Sequence, residues 1–151
     1  VAADLPRVIT ISKIGVRARV LQMGVNSDGS MQAPINIFDA GWYTGSVKPG
    51  QLGAAAIVAH ASGPTHQGLF GRLDSLGAGD AIQVERGDGS VLNYEVVKTE
   101  TVALDQVDMN AFLRPTDGVN EGLNLMTCAG ELVQSSETRD HRVIVYTKRV
   151  S

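Results

Sequence analysis

The chain has 151 residues, 43% of them hydrophobic, which is enough for one buried core in a single domain and too little for two comfortable ones. Thirteen basic against sixteen acidic residues leave a net charge of -3, and no Lys/Arg run is long enough to neutralise a row of phosphates, so nucleic-acid binding has no support and none is expected. No segment approaches the roughly 20 apolar residues of a membrane-spanning helix, and a single cysteine excludes a disulfide framework and a multi-cysteine metal site.

In chain order, residues 8–11 and 16–23 are rich in Val and Ile, are separated by Gly15, and run into the turn cluster Asn26, Ser27, Asp28, Gly29. They read as two strands. Pro34 lies in the loop that follows, and residues 38–46, with Gly41, Trp42, Tyr43 and Gly45, show no clean period before the turn Lys48, Pro49, Gly50. Residues 54–59 form the longest apolar run, bounded by Gly53 and by Ser62, Gly63, Pro64. Such a run fits a strand buried on both faces, and His60 then stands at its C-terminal end. Leu69, Phe70, Leu73 and Leu76 recur at helical spacing, which predicts a helix of one or two turns ended by Gly77.

Residues 81–85 and 91–97 alternate on either side of Gly87, Asp88, Gly89, Ser90, a strong hairpin signal. Residues 104–113 predict a short helix stopped by Pro115, followed by a loop from Thr116, Asp117, Gly118 to Gly122. Residues 123–128 and 142–150 read as the last strands. Seven or eight strands with little helix predict an all-β fold, closed or nearly closed into a barrel that leaves no strand edge exposed.

Cys128 ends the segment Asn124, Leu125, Met126, Thr127, Cys128 and is followed at once by Ala129 and Gly130, where a buried strand opens into a loop. Position alone leaves two readings, a thiol packed as a small hydrophobe or a nucleophile. His60 lies 128 − 60 = 68 residues upstream, at another strand end, and Arg142 lies 142 − 128 = 14 residues downstream, opening the strand Val143, Ile144, Val145, Tyr146. Taken singly, the histidine reads as a satisfied polar residue and the arginine as a solvated charge. Together they supply what acyl transfer needs: a thiolate to attack, an imidazolium to protonate the leaving amine, and a fixed cation to offset charge on the tetrahedral oxygen. Arginine suits the last part because it stays charged and offers donors in a rigid fork. His66 and His141 are rival partners and Arg139 a rival cation, but His60 ends a buried strand and Arg142 opens one, and a strand backbone holds a side chain more firmly than a loop does.

The segment 124–128 resembles the TLxTC motif of the sortases, bacterial enzymes that cleave a surface protein's sorting signal and join it to an amine on the cell envelope. Ile57, Val58, Ala59, His60 is similar to that family's strand-end histidine segment, and Arg142, Val143, Ile144 to its arginine strand. The order His, Cys, Arg also agrees, and the resemblance spans residues 8–150. It implies a single sortase-like catalytic domain over residues 1–151, a closed β-barrel of about eight strands with one or two short helices, and a groove walled by the loops flanking the cysteine strand. It further implies a thioacyl-enzyme formed by attack on the Thr carbonyl of an LPxTG-like sorting signal and resolved by an amine acceptor of the cell envelope. Carried over by position, Cys128 is the nucleophile, His60 the general acid and then base, and Arg142 the stabiliser of oxyanion and substrate, with Thr127 lining the substrate pocket.

Asn124 stands where the motif usually has Thr and is expected to shape that pocket. The acidic residues form no spaced cluster for a calcium ion, so no metal and no cofactor is expected. The short polar loop 129–141, with Asp117 and Gly118 ahead of the cysteine strand, leans toward the class F type. Because the chain begins at Val1 with no initiator Met, basic n-region or h-region, it reads as the remainder of a longer protein whose leader or anchor has been removed, and the resemblance implies that this protein is held at the extracytoplasmic face of the bacterial membrane by that N-terminal segment. Two other readings compete. A hydrolytic cysteine peptidase is weakened by the absence of a CGSCW run, as an L,D-transpeptidase is by the absence of a His just before Cys128. The other is a catalytically silent barrel that binds envelope proteins, with Cys128 as core.

Overall fold

The structure, a computed structural model, describes residues 2–25, 27, 32, 34, 38–61, 68–103, 106–128 and 141–151, and of Cys128 the backbone alone. The strands are β1 (Pro6–Ile11), β2 (Val16–Met23), β3 (Ala40–Tyr43), β4 (Gly53–His60), β5 (Ala81–Arg86), β6 (Val91–Ala103), β7 (Glu121–Cys128) and β8 (His141–Arg149). They close into one barrel in the order β1-β2-β3-β4-β7-β8-β6-β5, with β5 pairing back onto β1. The all-β closed barrel expected from the sequence is therefore the fold, with eight strands.

Strand alternation supplies the core. On β2, Val16, Ala18 and Val20 are buried while Arg17 and Arg19 between them are exposed. On β4 the alternation vanishes because both faces are covered. Ala55, Ile57 and Ala59 join the barrel interior with Ile9, Ile82 and Leu125. Ala56 and Val58 join a second, outer cluster with Phe112, Met126, Ile144 and Tyr146. Most pairings are antiparallel, but β2 with β3 and β4 with β7 are parallel. The crossover from β4 to β7 carries the β5–β6 hairpin and a single helical turn, α1 (Met109–Phe112).

Three expectations are corrected. Residues 40–43 form a strand the sequence did not announce. Its period is masked by Gly41, which the packing demands, since a Cβ there would stand 2.5 Å from Met23 Cγ and 3.2 Å from Pro34 Cγ. The helix expected over 69–76 is only a 3-10 turn, Leu73–Ser75. Its apolar spacing instead places Phe70, Leu73 and Leu76 in the barrel core, while the Phe70 N–H donates 3.0 Å to the His60 carbonyl. The helix expected over 104–113 shrinks to α1, because β6 continues to Ala103 along β8 and Asp108 caps the backbone N–H groups of Asn110 and Ala111 at 2.9 and 3.2 Å. No helix among the described residues is long and apolar enough to cross a membrane.

Candidate active site

The parallel pairing of β4 with β7 runs without a break from Gly53 opposite Glu121 to His60 opposite Cys128. Two residues far apart in sequence thus become register partners on adjacent strands, about 4.8 Å apart across the sheet. Strand β8 runs antiparallel to β7, pairing Leu125 with Val145 and Met126 with Ile144. The paired register ends at Met126 with Ile144; continued by two steps it would bring position 128 opposite Arg142, and beyond the last pair the Val143 N–H donates 3.0 Å to Thr127 Oγ1. Parallel strands end together and an antiparallel neighbour begins where they end. That topology gathers His60, Cys128 and Arg142 at one end of three neighbouring strands. The two-residue period assigns positions 60 and 142 to the outer face, with Ala56, Val58, Met126 and Ile144.

His60 is buried, with only 6% of its surface exposed. Its Nε2 lies 2.6 Å from the carbonyl oxygen of Pro34, and its Nδ1 is sealed from solvent with no hydrogen-bond partner among the described residues. The chain returns closely over the end of β4: the Gly68 N–H donates 2.9 Å to the Ala61 carbonyl, and a Cβ on Gly68 would collide with the His60 carbonyl. Glycine is required there by close backbone approach.

Asn124, proposed from sequence as a pocket residue, is fully buried. Its amide Nδ2 donates 2.8 Å to the Phe112 carbonyl and 2.8 Å to that of Arg114, tying the β6–β7 connection to the outer face of β7. Beside it, Thr147 Oγ1 accepts from the Leu123 N–H and donates to the Leu123 carbonyl, a bridge that no sequence pattern announces.

Two cavities flank the end of the barrel. One of about 330 Å³ lies on the outer face between β6, β8 and the β6–β7 connection, and Val102, the register partner of Arg142, lines it together with Ile144. Its walls are polar: Lys98 bonds Glu100 at 3.0 Å and sits 4.8 Å from the centre of the Tyr146 ring. The hydrogen bond to Glu100 holds the Lys98 ammonium above its usual range, and burial pushes the Tyr146 phenol up. The other cavity, of about 500 Å³, opens at the barrel mouth and is lined by Thr127, Val143, Thr101, Phe70 and His141. Thr127 therefore borders a cavity, while its hydroxyl is held by the Val143 backbone.

Arg142 Nη1 donates 3.0 Å to the His141 carbonyl. Of the rivals, His141 faces the barrel mouth, whereas His66 and Arg139 lie outside the described residues, as does most of the loop 129–141. Among the described residues no group of three His, Cys, Asp or Glu could hold a metal ion. Pro34, which meets His60 across 26 residues, is the site residue that sequence reasoning missed, since no motif marks a carbonyl.

Fold and placement together define a class: a closed eight-stranded barrel with a histidine and a cysteine at adjacent parallel strand ends, an arrangement suited to thiol-based acyl transfer. The family model for the sortase domain matches residues 9–150. The chain belongs to the sortase family, and that membership implies transpeptidase activity. Solved structures agree in fold. A lid mutant of sortase A from Corynebacterium diphtheriae aligns at 22% identity with a TM-score of 0.71, covering 100% of this chain and 73% of that one. The SrtA sortase from Actinomyces oris aligns at 24% identity with a TM-score of 0.71, covering 96% and 79%. A Clostridium perfringens sortase D5 transpeptidase aligns at 21% identity with a TM-score of 0.68, covering 98% and 80%. Comparison with curated protein sequences found no match.

Proposed function

We propose that this chain cleaves an LPxTG-like sorting signal through a thioacyl-enzyme and transfers the acyl group to an amine of the cell envelope, working at the extracytoplasmic face of a bacterial membrane. The observation that carries the reading is the register pairing of His60 with Cys128, with Arg142 at the facing end of β8. In the first half-reaction the Cys128 thiolate adds to the Thr carbonyl and the Arg142 guanidinium offsets the charge on the tetrahedral oxygen. The C–N bond then breaks as His60, protonated on both nitrogens, gives a proton to the leaving amine. In the second half an acceptor amine adds to the thioester, His60 takes its proton, and the thiolate leaves. Thr127 and Asn124 support the site from β7, the second by holding the β6–β7 connection in place.

Mass spectrometry after incubation with a small library of sorting-signal peptides tests this. A mass increment on Cys128 equal to the acyl fragment, lost on adding an amine and absent in Cys128→Ala, is the expected result. A thiol that reacts with neither peptides nor a methanethiosulfonate until the protein is denatured would favour a catalytically silent barrel instead.

A further inference from the structure

We infer that the main-chain carbonyl of Pro34 is the orienting group of His60: it holds the ring proton on Nε2 and so makes Nδ1 the nitrogen that gives and takes the proton in catalysis. The inference rests on His60 being the acid/base residue. A carbonyl oxygen can only accept, so the 2.6 Å contact requires a proton on Nε2. The tautomer of a histidine follows from the hydrogen bond its other nitrogen makes, and catalytic imidazoles are commonly fixed in this way by a carboxylate. Here the backbone takes that part.

The unpartnered state of Nδ1 is the second observation. A buried nitrogen without a hydrogen bond is costly and calls for an explanation. Nδ1 belongs to the residue paired with Cys128 at the end of β7, and it is closed to bulk water. A ring nitrogen kept empty next to the nucleophile's strand position is available for proton exchange with the thiol and with the substrate amine that thiol attacks.

The third observation is how firmly the carbonyl is held. Pro34 is buried against Gly41, whose missing Cβ leaves room for the proline ring, with Pro34 Cγ 3.2 Å from where that Cβ would stand. Residues on either side of Pro34 are tied to β2 or to Gly24, the residue just past its end. Toward the N-terminal side, the Gln32 N–H donates 2.9 Å to the Gly24 carbonyl and the Gly24 N–H donates 2.9 Å to Gln32 Oε1. Toward the other, both carboxylate oxygens of Asp39 accept from Arg19, at 3.0 and 2.9 Å. Pro34 is thus a positioning residue, acting on the reaction through His60.

Ring ¹⁵N chemical shifts of His60 in the intact chain read the tautomer directly, with or without activity. The neutral ring is expected to carry its proton on Nε2; a proton on Nδ1, or an even mixture, would overturn the inference. Replacing Ile35 by its α-hydroxy acid turns the Pro34 carbonyl into an ester carbonyl, a weaker acceptor. With an LPxTG peptide, kcat should then fall about tenfold with KM unchanged, the size of one hydrogen bond. An unchanged kcat in a variant that still binds the peptide would also overturn it. His60→Ala separates the two layers: if that variant keeps full activity, the acid/base reading itself fails, whichever nitrogen is protonated.

Discussion

Asn124 shows what a single position can do inside a motif. A threonine, the residue the sortase motif usually has there, offers one hydroxyl, whereas the asparagine amide offers two N–H groups and spends both on the carbonyls of Phe112 and Arg114. Asn124→Thr should therefore leave at least one buried carbonyl unpaired and destabilise the fold by about 1–3 kcal/mol. Urea denaturation reads this as a lowered midpoint at unchanged slope; an unaltered midpoint would mean the clamp contributes nothing. The candidates for the chemistry, Cys128, His60 and Arg142, were picked out in the sequence because acyl transfer demands a nucleophile, a proton carrier and a cation. Pro34 was not, because its contribution is a backbone oxygen whose position depends on the path of a loop.

At the scale of elements, the hairpin of β5 and β6 was the most legible, since its turn chemistry is local. Asp88 accepts from both the hydroxyl and the N–H of Ser90, at 2.6 and 2.9 Å, and Gly89 takes a φ of +87° that suits glycine. Those bonds to Ser90 hold the Asp88 carboxyl below its usual range. Asp80 is held down in the same direction by the Gly77 N–H and by Lys13. A depressed carboxylate contributes stability above its unfolded pKa and loses it as pH falls through the folded one. The double variant Asp80→Asn, Asp88→Asn should accordingly lose less stability than the parent between neutral pH and about pH 3, compared by denaturant midpoint. Equal losses would show that neither turn is coupled to folding. The helices were over-read from their spacing. Phe70, Leu73 and Leu76 satisfy a helical period and yet serve as a plug for the barrel, because burial, not local propensity, set their spacing.

For the whole molecule, the decisive feature is the parallel β4–β7 pair, which closes the barrel and brings together residues from distant parts of the chain. If that closure couples the thiol to the imidazole, His60→Ala should slow modification of Cys128 by a methanethiosulfonate severalfold at neutral pH, because the thiol loses the base beside it that takes its proton. An equal rate in both proteins would mean that the two side chains do not communicate. The barrel class, the approximate places of the seven strands other than β3 and the candidacy of Cys128, His60 and Arg142 came from the sequence alone, since alternation, turn residues and side-chain chemistry are properties of short segments. The tertiary structure decided which strand ends meet, that β3 exists at all, that Asn124 ties down a loop, and that a proline carbonyl faces His60. Each of these depends on hydrogen bonds between segments far apart along the chain, and local pattern carries no record of such partners until the barrel has closed.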